Sequence, residues 1–180
     1  ERVDLTYGRD QTNTKGDARL IFHRREGVDL KAPLVLDGDE LELSGLLFDQ
    51  KEVPASQFDA TPELRTIRDL PAEAPFEITI TTYINPEANT QLMGLYRTNG
   101  IYCTQCEAEG FRRITYFPDR PDVLAPYTIT IIGDKAANPV MLSNGNFLGG
   151  AGYDEGRAFA AWVDPHPKPS YLFALVDGDL

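Results

Sequence analysis

Apolar and polar positions alternate along most of this chain with a period of two, the spacing of a half-buried strand. In "FEITITTYINP", Phe76, Ile78 and Ile80 alternate with Glu77, Thr79 and Thr81. "YTITIIGD" (127–134) repeats the pattern, and "ARLIFHRR" (18–25) is a β-branched and aromatic run. "APLVLDGDELELSGLLFD" reads as two strands around the turn Asp37-Gly38-Asp39, with Leu41 and Leu43 set against Glu40 and Glu42. "RAFAAWVDP" and "SYLFALVDGD" supply further strands near the C-terminus. Thirteen prolines, Pro62, Pro126, Pro165 and Pro167 among them, are expected in or beside loops. No long stretch carries a 3.6-residue apolar period. One helical turn at "EAEGFRRI" is the best exception, and Gly110 weakens it. Many short strands with closely spaced turns predict an all-β fold: a sandwich of antiparallel or mixed strands with little helix.

The chain has 180 residues, which suits one domain. A chain this long buries enough apolar surface to fold without a metal or a disulfide. No internal repeat or linker-like composition shift divides it. The formal net charge of −11 argues against nucleic acid and against anionic membranes, both of which need a basic face. An acidic protein can instead attract cations, including the free amino end of a peptide. No window approaches the length of a membrane span, and "ERVDLTYGRD" has no basic n-region followed by an apolar stretch. With two cysteines in all, the expected home is cytoplasmic.

Most chemistry-bearing motifs are missing. The sequence has no H-E-x-x-H, no G-x-S-x-G and no P-loop. The only histidines, His23 and His166, stand far apart, and the Gly-rich "SNGNFLGGAG" (143–152) reads as turn chemistry. Cys103 and Cys106 form a C-x-x-C inside "IYCTQCEAEGFRR". A structural zinc wants two more ligands at matching spacing, and only the two distant histidines are available. A redox dithiol wants its first cysteine at a helix N-terminus, with a lowered thiol pKa. Here the surroundings are all-β, and Glu107 and Glu109 are expected to raise the thiols.

The same stretch carries a family resemblance. Gly94-Leu95-Tyr96, Thr104-Gln105-Cys106-Glu107, Arg112, Phe117-Pro118, Asp119-Arg120-Pro121-Asp122 and Leu142-Ser143-Asn144 stand in order between Ile84 and Leu180. Together with the closing "PKPSYLFALVDGDL", they resemble the N-terminal domain of the aminopeptidase N family of gluzincin-class zinc aminopeptidases, in its bacterial branch. "DLKAPLVLDGDELEL" fits more loosely, and Pro126 departs from the basic or small residue expected there.

The resemblance implies a saddle-shaped β-sandwich comprising residues 1–180, followed in the parent enzyme by a thermolysin-like catalytic domain. That domain would supply G-A-M-E-N, H-E-x-x-H and the zinc. The chain itself would hold no catalytic residue and no metal, and would be inactive alone. Its partners would be the catalytic domain of the same polypeptide and the N-termini of peptide substrates. Gln105 and Glu107 match the family's substrate-binding Gln and Glu. The Glu would help hold the substrate's α-amino group, with the Gln lining the site beside it. Arg112 is expected to be structural, pairing with backbone or with Asp119.

A stand-alone module binding protein or carbohydrate is the alternative, with Tyr7, Tyr96, Tyr102, Trp162 and the loop 143–152 as its candidates.

Overall fold

A computed structural model describes residues 2–8, 13–61, 63–71 and 75–180. Fifteen strands follow one another: β1 (Arg2–Gly8), β2 (Thr14–Phe22), β3 (Leu34–Asp37), β4 (Glu42–Phe48), β5 (Lys51–Glu52), β6 (Phe58–Ala60), β7 (Leu64–Ile67), β8 (Phe76–Ile84), β9 (Gly94–Thr98), β10 (Ile101–Gln105), β11 (Ala125–Asp134), β12 (Val140–Ser143), β13 (Asn146–Gly152), β14 (Arg157–Lys168) and β15 (Leu175–Gly178). Single 3-10 turns at Ala55–Gln57, Phe111–Arg113 and Ser170–Leu172 are the only helical elements among the described residues. The all-β sandwich read from the alternation is the observed architecture.

The strands form three sheets: β13-β14-β11-β1-β2-β8-β4-β5, β12-β15-β10-β9 and β3-β7-β6. Within the large sheet, among the described residues, only β1 and β11 run parallel. The period of two explains how it buries one face. A single rung crosses it through Trp162, Ile129, Leu5, Ala18, Ile80 and Leu46. All but the half-buried Trp162 are buried, because residues in register share a side of the pleat. One continuous core joins this face to Leu36 and Ile67 of the three-stranded sheet and to Leu95, Tyr102, Met141 and Leu175 of the four-stranded sheet.

The two strands read around Asp37-Gly38-Asp39 both exist, but they belong to different sheets, so that turn is a sheet-to-sheet crossing rather than a hairpin. Three prolines depart from the loop expectation. Pro126 sits in β11 where the register slips between Ala125 and Tyr127, and a bulge needs no ladder donor there. Pro165 and Pro167 lie inside β14, beyond Val163, where pairing with β13 has ended. His166 between them is therefore an exposed strand residue, not a loop residue. Pro62 lies outside the described residues.

Candidate functional site

The end of β10 carries the candidate residues, and the local sequence dictates how. β9 and β10 pair through Asn99-Gly100, both with positive φ (49° and 85°), the two-residue turn that matches strand twist. That turn fixes the register and sets Gln105 opposite Gly94. Tyr102 and Cys103 pair on the other side with Asp177 and Val176 of β15. The Thr104 hydroxyl accepts a bond from the Leu175 N–H at 2.8 Å.

Past Gln105 the chain does not stay extended. The Gly110 N–H donates to the Cys106 carbonyl at 2.8 Å and closes a tight turn over residues 106–110. Glu107 and Glu109 therefore do not share a strand face. The Phe111–Arg113 turn follows at once, where the sequence suggested one helical turn. Two glycines permit the close approach. A Cβ on Gly110 would lie 2.3 Å from the Gln105 carbonyl oxygen and 3.0 Å from the Gly94 nitrogen. Gly94 adopts φ +72°, and a Cβ there would lie 2.6 Å from that of Arg113.

The turn is anchored below. Phe111, fully buried, meets Phe117, Tyr127 and Phe173 edge-on, at centroid distances of 5.1, 5.8 and 5.3 Å. Buried Asp119 accepts bonds at Oδ2 from the Arg112 backbone N–H (3.1 Å) and the Arg112 Nε (3.2 Å), and at Oδ1 from the Ser170 hydroxyl (2.5 Å). Arg112 Nη2 also donates to the Asp119 carbonyl at 3.2 Å, so Arg112 has the structural role read for it. Arg113, buried beside it, donates to Asp39 at 2.5 Å, to Gln91 at 3.3 Å and to Glu40. Neither arginine is left to bind a phosphate.

The Asp119 backbone N–H donates to Asp37 Oδ2 at 3.0 Å, so Asp37, Asp39, Glu40 and Gln91 form a supporting tier that the sequence reading missed. Their partners lie 22 to 82 positions away and leave no local signature; the Asn99-Gly100 pair was the one readable signal.

On this platform the two acids differ. Glu109 pairs with Arg112 at 3.3 Å. Glu107 is exposed, and its carboxylate meets no hydrogen-bond or ionic partner among the described residues. The Gln105 amide, also exposed, donates to the Glu107 backbone carbonyl at 3.1 Å and so reaches along the turn toward it. Gln105 and Glu107 are thus brought together at one surface.

The cysteines recede. Cys103 is half-buried in mid-strand, Cys106 is buried, and both are free thiols. Burial pushes the Cys106 thiol from 9.0 to about 12, and Asp119 adds to it. The expected upward direction is found for Cys106, but its cause is burial with Asp119, not Glu107 and Glu109. A thiol held protonated is the reverse of a reactive dithiol. Among the described residues no group of three or more His, Cys, Asp or Glu could hold a metal ion. None of their helices is long and apolar enough to cross a membrane. Of the aromatic candidates for a stand-alone binding module, Tyr7 and Tyr102 are core residues at 2% and 4% exposure.

The chain resembles known proteins along its length. The chain is 47% identical over its whole length to aminopeptidase N of Caulobacter vibrioides, and 44% identical over 98% of its length to that of Escherichia coli. It spans about a fifth of each. Among solved structures, Legionella pneumophila aminopeptidase A in complex with aspartic acid superposes with a TM-score of 0.91 at 36% identity, over 99% of this chain and 21% of that one. An M1 zinc metallopeptidase from Deinococcus radiodurans shares the fold, with a TM-score of 0.80 at 19% identity, over 99% and 41% of the two chains. The peptidase M1 N-terminal domain family matches residues 30–172, and the chain belongs to that family.

Proposed function

We propose that this chain is the N-terminal scaffolding and substrate-anchoring domain of a zinc metallo-aminopeptidase that removes N-terminal amino acids from peptides. Glu107, helped by Gln105, receives the substrate's α-amino end. The observation that carries the reading is the contrast at the turn. Glu109, Arg112, Arg113 and Asp119 are all engaged in holding the platform, while the Glu107 carboxylate stands exposed upon it without a side-chain partner.

An exopeptidase must recognise a terminal ammonium, a compact cation with three donors. A fixed carboxylate answers it with a charge-assisted hydrogen bond worth about 1.5–3 kcal/mol. Because Phe111, Gly94 and Gly110 hold the turn, that bond also positions the first peptide group relative to the chemistry. Gln105, on the same surface, contacts the first residue beside its amine. Zinc, when bound in the parent enzyme, supplies the electrophile and the activated water from outside this chain. This domain's part is to bind and orient, and alone it is inactive. A cytoplasmic location belongs to the same reading.

The test is Glu107→Gln in the full gene product. On aminoacyl substrates KM should rise and kcat/KM should fall by about 10- to 150-fold, the loss of one charge-assisted bond. Unchanged kinetics would remove the amine-anchor role.

A further inference from the structure

The two edges of the large sheet are finished differently. At one edge, β5 is two residues long and both are charged and exposed, Lys51 and Glu52. Such an edge refuses further strands. At the other, β13 is seven residues long, "NFLGGAG", without charge or proline. It exposes Phe147 (57%) and Leu148 (59%). This is the kind of edge that a protein ordinarily covers.

Beside that edge lies a groove of about 610 Å³ between β12 and the β13–β14 hairpin. Its walls include Val140, Met141, Leu142, Phe147, Ala160 and Trp162, and among the described residues Lys135 is the one charged residue lining it. The groove is built, not loose. Trp162 Nε1 donates to the Met141 carbonyl at 3.1 Å, bracing β14 against β12, and the Trp162 ring lies 5.0 Å from that of Phe147.

The chain leaves the fold at the same place. In the β12–β15 pairing, Gly178 stands opposite Val140, which is itself a groove wall. Asp179 and Leu180 then run out exposed. Relatives of this chain are about five times its length.

We propose that the β13 edge and the adjoining apolar groove are the docking surface for the polypeptide that follows Leu180, which seats an uncharged, apolar face there. This rests on the reading that the chain is one domain of a longer enzyme, but not on the role of Glu107. Docking there fixes the hairpin to the rest of the molecule, so that the two domains move as one body.

The test uses the full gene product with Phe147 replaced by the photo-cross-linking amino acid p-benzoylphenylalanine, and a control with the same replacement at exposed Leu64 of the three-stranded sheet. Irradiation should yield within-chain adducts from position 147 to residues beyond Leu180, with none of these from position 64. Adducts formed only with a second copy, only with another protein, or not at all would overturn the proposal, as would equal yields at the two positions. Each of those results leaves the Glu107 kinetics untouched, so the two proposals fail separately.

Discussion

Gly110→Ala isolates steric crowding beneath the candidate site. Gly110 has φ −83° and ψ −17°, a right-handed conformation open to alanine, so backbone strain does not enter. What enters is contact. The new Cβ would lie 2.3 Å from the Gln105 carbonyl oxygen, 2.9 Å from the Cys106 Cα and 3.0 Å from the Gly94 nitrogen. All three are backbone atoms, so no side chain can rotate away; the turn must lift. An overpacking of this kind costs about 1–3 kcal/mol, and for a domain this size each kcal/mol lowers Tm by about 2–4 °C.

Gly152→Ala is the matched control. A Cβ there meets nothing within 4 Å, and stability should stay level or rise by about 0.4–1 kcal/mol through the unfolded state. Urea denaturation of the two variants beside the parent chain reads the difference directly. Because lifting the turn moves Glu107, Gly110→Ala in the full gene product should also lower kcat/KM on aminoacyl substrates. If Gly110→Ala is as stable as the parent, the close packing of the turn against β9 and β10 is not what holds it, and the reasoning fails.

Asp119→Ala strands Arg112 and the Ser170 hydroxyl. It should cost about 3 kcal/mol in urea denaturation, the low end for a broken buried pair because Arg112 keeps part of its surface in water. Glu109→Gln removes only a half-exposed pair with Arg112, so kcat/KM of the full gene product should change by less than about fivefold, against the large loss at Glu107. Cys106 gives a pH signature. Its folded thiol titrates near 12 and its unfolded thiol near 9.0. Its contribution to stability is therefore complete below pH 9.0 and is lost as the pH climbs from there to about 12. A Cys106→Ser chain should show a shallower alkaline decline. At pH 8 a thiol reagent should label Cys103 well before Cys106.

The strands were legible wherever one face is buried. β8 alternates buried and half-buried residues without a fault along Phe76–Ile84, and its sequence alternates with it as far as Thr81. Residues 2–8 hid a strand of the same kind: Val3, Leu5 and Tyr7 are buried in β1, yet one of its two partners, β11, lies more than a hundred positions away. Gln105 and Glu107 were legible only through the family motif, since an exposed acid at a turn carries no local mark of purpose. Of the platform beneath them, only the Arg112–Asp119 pair was legible, and that through the family resemblance. Arg113 carried no role in the sequence, yet it is buried because Asp39 and Glu40, in the crossing between β3 and β4, receive it. Asp119 looked like a turn residue between prolines, and its value comes from Ser170, fifty-one positions later.

The parallel pairing of β1 with β11 has a consequence for synthesis on the ribosome. Val3 waits for Tyr127, and Gly8 for Ile132. Until about two-thirds of this chain has left the exit tunnel, β1 presents one bare flank, and the sheet can be completed only by closing a very long loop around it. Such non-local closure makes folding slow and late. Nascent chains halted before residue 125 should therefore remain protease-sensitive and draw chaperones, while those extended past β14 become resistant in a single step.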